Sequence, residues 1–353
     1  MGHLLLACAL AALGSGLLAF PVRRLALRLG VVDRPNARSS HRAPTPRAGG
    51  VALVLALAAT VLVLVPIRPE GLAAGLLIAA VAAVSLVDDV RSLSFAPRLA
   101  VQVIAAVGVV WLLEVPARAV DRPGWDAAPP RGWGAALAVV FLVAHANFFN
   151  FMDGINGLAA GQAVVTGATL AVVLHAAGRG PAAVVAAATA GAAAGFLPHN
   201  FPAARIFLGD VGSVTLGFLL ALLALVAHAR GGVPWSAILL IHAAFLFDAL
   251  VTIARRARRG ESLVRPHREH HYQLLVRAGW SHTATTLTVL ALSAGCCGAA
   301  WLSTRSHGWA RWAALLGPLV ALVVFAAVAQ TRRPVVPGGP DPALIRPDPV
   351  AHG

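Results

Sequence analysis

Four short polar clusters carry the residue types from which a reactive site could be built: Asp88-Asp89, Asn147-x-x-Asn150-x-x-Asp153-Gly154, Gly209-Asp210-x-Gly212-Ser213 and Pro266-His267-Arg268-x-His270-His271. Each stands where an apolar run ends. The chain has 14 acidic residues, and Asp88, Asp89, Asp153 and Asp210 are four of them. Carboxylates and amides are hard oxygen ligands for small divalent cations, whereas His and Arg contact phosphate. The combination suits chemistry on a phosphate ester held beside a cation.

The clusters differ in what each residue type can do. Acid at the C-terminal end of a helix opposes the helix dipole, so the Asp88-Asp89 pair implies a bound cation or a shared proton unless it is a hydrated helix end. Helical spacing puts Asn147, Asn150 and Asp153 along one face, either as ligands for Mg²⁺ or as a polar packing stripe. Asp210 begins a helix behind a glycine. The glycines there let backbone N–H groups approach an anion, and Asp210 reads as an N-cap, a cation ligand or both. In the basic loop, Arg255, Arg256, Arg258 and Arg259 read as lipid-headgroup anchors. His267, Arg268 and His270 lack the ligand spacing of a zinc site and fit phosphate better. An earlier loop offers Arg38, His41 and Arg47 for phosphate contacts, or simply as a basic topology loop. Asp248 lies inside an apolar run, where an ionisable residue is either functional or structural.

Positioning these clusters falls to membrane helices. The chain is 58% hydrophobic and 12% charged, with a mean hydropathy of +0.78, against about 25% charged residues in soluble domains. Eleven apolar runs have about the length of a bilayer core: 3–20, 49–66, 72–87, 98–113, 134–151, 158–176, 181–197, 212–229, 236–254, 283–302 and 312–329. The expected fold is all-α, a polytopic helical membrane protein of about eleven transmembrane helices, or ten, in one domain over 1–330. The Pro/Gly-rich tail 331–353 reads as disordered, and 114–133 as an outer loop. The first run is expected to be a retained span, because its basic flank follows it. All the Lys+Arg residues are arginine, with a net charge of +14. The connections after the odd-numbered runs, with the tail and with Arg98 at the edge of the fourth run, hold 20 of the 28 arginines and every polar cluster. By the positive-inside rule the N-terminus faces out and the clusters face the cytoplasm, in a bacterial inner membrane. A basic soluble domain for nucleic acid is absent from the pattern, and the three cysteines lie in apolar runs without metal spacing.

Taken together, the motifs resemble the polyprenyl-phosphate N-acetylhexosamine-1-phosphate transferases of glycosyl transferase family 4. The resemblance runs from Asp33 to about Ser281. It rests on Asp33-x-Pro35-x-x-Arg38-x-x-His41, Pro46-Arg47-x-Gly49-Gly50, Asp88-Asp89, the Asn147 to Leu158 segment, Phe207-x-Gly209-Asp210-x-Gly212-Ser213 and the histidine loop. It implies attack of a polyprenyl phosphate on the β-phosphorus of a UDP-N-acetylhexosamine, with Mg²⁺ (or Mn²⁺) required and UMP released. It implies further that Asp88, flanked by Asp89, acts as base or orienter for the lipid phosphate, that Asp210, Asp153 and Asn150 hold the metal, that Asn156 contacts the uridine, and that His267, Arg268 and His270 meet the diphosphate or sugar. Many members have Asp where this chain has Asn156. The His267 to Gln273 ending, with Gly279-Trp280-Ser281, looks like the O-antigen-initiating branch rather than the muramoyl-pentapeptide branch. A homodimer is compatible with the resemblance. The competing reading is a transporter with intramembrane carboxylates, which would place them near the midplane rather than at one face.

Overall fold

The computed structural model describes residues 1–33, 44–112, 133–262 and 267–332. Arg38 and His41, most of the 114–133 loop and nearly all of the tail lie outside the described residues. In chain order the elements are α1 (Gly2–Arg28), β1 (Val32–Asp33), β2 (Thr45–Pro46), α2 (Gly50–Leu64), α3 (Pro69–Arg91), α4 (Phe95–Leu112), α5 (Trp133–Phe151), α6 (Leu158–Ala176), α7 (Gly180–Asn200), α8 (Asp210–Gly231), α9 (Trp235–Ile241), α10 (Ala243–Arg258), α11 (His271–Arg277), α12 (His282–Ser303) and α13 (Gly308–Thr331). The two strands form one antiparallel pair, Val32 opposite Pro46 and Asp33 opposite Thr45.

This is an all-α polytopic membrane protein. Among the described residues nine helices are long and apolar enough to cross a bilayer, or ten if α9 and α10 count as one span. All eleven apolar runs form helix, but two differ from simple spans. The run 49–66 yields α2, only 15 residues long. The run 236–254 breaks at His242 into α9 and α10, which meet at a bend of 82°.

Burial ranks the helices. Helix α8 is the centre of the bundle, buried along nearly its whole length from Val211 to His228. Its apolar side chains face neighbours all round, as expected of a helix without a lipid face. By contrast α1, α3 and α13 expose long apolar side chains such as Leu13, Leu76 and Val320, which suits contact with lipid. Small residues set the closest approach. A Cβ on Gly195 would stand 2.0 Å from the Ala12 carbonyl oxygen, and one on Gly191 would stand 2.1 Å from that of Cys8. The Gly191-Ala-Ala-Ala-Gly195 stripe of α7 therefore carries α1 at backbone contact, the packing that small-xxx-small spacing permits.

One junction shapes the polar end. Phe207 N–H donates to the Pro46 carbonyl at 2.8 Å, Gly49 N–H to Phe207 at 2.9 Å, and Gly50 N–H to Leu208 at 2.7 Å. These bonds lay the start of α2 against the start of α8. They also bring Arg47 beside the C-terminal end of α3.

Candidate active site

The ends of α3, α4, α5 and α8 meet at one place. Asp88, in the last turn of α3, has a satisfied carboxylate: Oδ1 accepts the Leu93 N–H at 2.6 Å and Oδ2 accepts from Arg98 of α4. The same Arg98 Nη1 donates to Asp210 Oδ2 at 2.9 Å. One guanidinium nitrogen thus bridges the carboxylates of two helices far apart in sequence. On its other side, Asp210 Oδ1 accepts from Asn150 Nδ2 at 3.0 Å, and Asn150 also donates to Ser213 Oγ at 2.9 Å.

Asp89 does something different from Asp88. Adjacent residues of a helix point about 100° apart, so the two cannot face the same space. The Asp89 oxygens accept the backbone N–H groups of Asp210 and Val211, both at 3.0 Å. Asp89 is therefore the cap of α8 supplied from α3, in the place that the sequence left open for an anionic ligand. Arg47 stands 3.5 Å from the same carboxylate. A left-handed Gly209 (φ 73°) makes this possible, since a Cβ there would lie 2.6 Å from Asp89 Oδ2.

Asp153 lies beyond the end of α5, in the turn that follows it. Helical spacing accounts for Asn147 and Asn150 but not for Asp153. Among the described residues its carboxylate accepts no hydrogen bond. Burial pushes its pKa well up, and the nearby Asp210 and Asp89 charges push the same way against Arg47. Four carboxyl groups and two arginines thus meet in this cluster.

A cavity of about 700 Å³ opens on this cluster. Arg98, Asn150, Asp210, His267 and His270 form its polar end, while Leu99, Val103, Val140 and Phe148 line an apolar trough between α4 and α5. Asn147 lies on the wall, its amide held by Gln102 Oε1 at 2.6 Å and by the Val143 carbonyl at 2.8 Å. Among the described residues His267 has a buried Nδ1 without a partner, and burial next to His270 pulls its pKa down to about 4. His267 therefore enters the cavity as a neutral ring at neutral pH.

Two candidate residues stand elsewhere. Asn156 donates to the Pro202 carbonyl at 2.9 Å, and its own carbonyl accepts from Thr286 Oγ1 at 2.9 Å. It belongs to the turn between α5 and α6 and does not line the cavity. Arg268 is not on the cavity wall either, and its carbonyl accepts from Arg277 at 3.3 Å. The arginines read as headgroup anchors also take other partners. Arg256 pairs with Glu261 at 2.8 Å and Glu269 at 2.7 Å, and Arg255 and Arg259 pair with Glu269 as well. Burial would raise the Glu269 pKa, but Arg259, Arg256 and Arg255 outweigh it and hold the carboxyl low. This network pins the histidine loop to the end of α10, and among the described residues Arg258 is the one of the four outside it.

Arg98, Gln102 and Ser213 were not singled out from the sequence. Ser213 sat inside a quoted motif. Arg98 and Gln102, four apart at the start of an apolar run, carry the i, i+4 signal of one polar helix edge that could have found them.

Fold and site define a class: a polytopic membrane protein with a carboxylate–arginine centre and an adjoining apolar trough at one end of its bundle. Residues 72–228 match the family described as glycosyl transferase family 4. The decaprenyl-phosphate N-acetylglucosaminephosphotransferase of Mycolicibacterium smegmatis is 33% identical over 362 residues, covering 91% of this chain and 86% of its own. The probable undecaprenyl-phosphate N-acetylglucosaminyl 1-phosphate transferase of Bacillus subtilis is 29% identical over 284 residues, 76% of each chain. The phospho-N-acetylmuramoyl-pentapeptide-transferase of Moorella thermoacetica is 31% identical over 296 residues, 80% of this chain and 91% of its own. The chain belongs to glycosyl transferase family 4.

Proposed function

We propose that this protein transfers N-acetylglucosamine-1-phosphate from UDP-N-acetylglucosamine to a polyprenyl phosphate on the cytoplasmic side of the bacterial inner membrane, its N-terminus facing out. The product, a polyprenyl-diphospho-sugar, would start a cell-envelope glycan such as an O-antigen. The observation that carries this reading is the shape of the cavity. Its trough of Leu99, Val103, Val140 and Phe148 suits an isoprenoid tail, and it ends at Arg98, Asn150 and Asp210, where the tail's phosphate would arrive. The names of the relatives supply the sugar.

In the reaction an oxygen of the lipid phosphate attacks the β-phosphorus of the UDP-sugar. The bond from that phosphorus to the bridging oxygen breaks, and UMP leaves with the oxygen and its electron pair. Such transfers depend mostly on positioning and on charge neutralisation. Arg98, oriented by Asp88 and Asp210, supplies one fixed positive charge at the polar end. His267 and His270 present ring nitrogens to the sugar or to a protonated oxygen of the diphosphate. Asn150 keeps the Asp210 carboxylate in one orientation.

The donor set fits Mg²⁺. Asp88 and Asp210 already converge on one cationic nitrogen, and Asp153 has unfilled acceptor capacity beside them. Among the described residues no group of three or more His, Cys, Asp or Glu side chains is arranged to hold a metal ion, so a cation held by Asp210 and Asp153, with Asn150 adjacent, would complete its shell with water and substrate phosphate, as Mg²⁺ commonly does. When bound, Mg²⁺ would neutralise charge that develops on the phosphate oxygens.

The test is UMP release by purified protein from a panel of UDP-sugars and polyprenyl phosphate, with and without Mg²⁺. The Asp210→Asn variant is expected to lose release. Release with UDP-N-acetylmuramoyl-pentapeptide alone would move the chain to the activity named for the Moorella relative. No release with any sugar would overturn the reading.

A further inference from the structure

Asp248 has no part in the chemistry described so far, yet among the described residues it is the most heavily engaged carboxylate. It lies in α10, 2% exposed. Its Oδ1 stands 3.1 Å from His270 Nδ1, 3.1 Å from His271 Nδ1, 3.0 Å from the His271 N–H and 3.2 Å from Thr252 Oγ1, while Oδ2 accepts the Tyr272 N–H at 3.4 Å. A buried carboxylate needs such partners, because an unpaired charge there would be costly.

The partners determine tautomers. An ionised carboxylate only accepts, so both Nδ1 atoms must carry hydrogen. His271 is committed at its other edge too, with Gln330 Nε2 3.0 Å from its Nε2. It is a strut between α10 and α13. His270 differs: its Nδ1 is held, its ring lines the cavity, and among the described residues no hydrogen bond reaches its Nε2. The rings of His267 at 5.1 Å, Tyr272 at 5.9 Å and Phe151 at 6.2 Å bracket it.

We propose that Asp248 is a positioning residue for the transfer site: it fixes the tautomer and rotation of His270 so that the bare Nε2 of that ring faces the cavity as an acceptor, for a sugar hydroxyl or a protonated phosphate oxygen. The inference rests on the transferase reading for its chemistry, but not for its geometry. A carboxylate behind a histidine does the same service in metal sites and in hydrolases, where it selects which nitrogen is presented.

A purely structural Asp248 would staple the loop and nothing more, and the two roles separate in a double-mutant cycle. The full chain in nanodiscs is assayed for UMP release as wild type, Asp248→Asn, His270→Ala and the double variant. Asp248→Asn is expected to lower kcat/KM about 10–100-fold, the usual cost of losing an outer partner. In the His270→Ala background the same change is expected to cost less than about twofold, because the residue it acts through is gone. An equal loss in both backgrounds would overturn the proposal. The imidazole ¹⁵N shifts of His270 give a readout independent of turnover. Wild type is expected to show protonated Nδ1 and bare Nε2, and Asp248→Ala a mixture of tautomers. An unchanged single tautomer in Asp248→Ala would also overturn it. Should Asp248→Ala not accumulate folded, the Asp248→Asn cycle decides. A wild type that releases no UMP would sink the transferase reading, leaving the ¹⁵N shifts to judge the Asp248–His270 pair.

Discussion

Replacing Arg98 by Gln should move two quantities in opposite directions. Asp88 and Asp210 share one donor nitrogen, so their carboxylates lie within about 6 Å of each other, twice a hydrogen-bond length. At an effective dielectric constant of about 20, their repulsion at that distance is about 3 kcal/mol. Arg98 masks this repulsion, and its side chain is 29% exposed, so solvent screens part of it. Without the guanidinium a divalent cation becomes the counter-charge between Asp88 and Asp210. Three kcal/mol corresponds to a factor of about 100 in binding, and screening brings the expected gain in Mg²⁺ affinity nearer tenfold. Turnover goes the other way. A fixed donor aimed at a transferring group is worth about 2.7–4 kcal/mol, so kcat/KM should fall about 100–1,000-fold even at saturating Mg²⁺. Arg98→Lys keeps the charge and should recover part of the rate. The assay is UMP release against Mg²⁺ concentration, with a cation titration of thermal unfolding in the absence of substrate. If Arg98→Gln turns over within about threefold of wild type and its Mg²⁺ half-saturation is unmoved, the bridging role is wrong.

Three further outcomes follow from the geometry. Asp89→Ala removes the cap that α3 lends to α8 and leaves two N–H groups without their acceptor, at a cost of about 1–2 kcal/mol, read as a lower unfolding temperature at neutral pH. Gly195→Leu drives a side chain into the Ala12 carbonyl and should cost about 1–3 kcal/mol or prevent assembly, whereas Gly295→Leu, with open space around it, should not. His267 titrates near 4 when folded and about 6.5 when unfolded, so the unfolded chain binds the extra proton between those values. The contribution of His267 is therefore full above about pH 6.5 and is lost as pH falls toward 4. His267→Asn should show a smaller drop in unfolding temperature between pH 7 and pH 5 than wild type, and an equal drop would exclude His267 as a source of acid sensitivity.

Much of the helical frame is legible in the sequence because hydrophobic runs report lipid or core, and either burial makes a helix. The break at His242 is not, because hydropathy sums are blind to backbone direction. The run Ile241-His242-Ala243 contains neither Pro nor Gly to announce a bend. At the site, Asp88, Asn150, Asp210 and His270 were recognisable from type and placement. The division of labour between Asp88 and Asp89 was half-visible, since neighbours on a helix diverge, but the cap that Asp89 provides lies 121 residues away in sequence. Arg98 escaped notice for a different reason. At the mouth of an apolar run among many arginines, it had the look of a topology signal. For Asn156, position in a motif suggested a ligand contact, and the fold adds a partner that the motif did not show, the Pro202 carbonyl.

The burial of α8 has a further consequence. Asp210 is mounted on a shaft enclosed along its length by other helices, so the reacting centre inherits the stiffness of the whole barrel of neighbours and owes little to the lipid around it. A bulky replacement on α6 or α7, far from any substrate, would tilt that shaft and misplace the carboxylate at its tip. Slow variants should therefore turn up along the entire depth of the protein, in residues that no reactant ever meets.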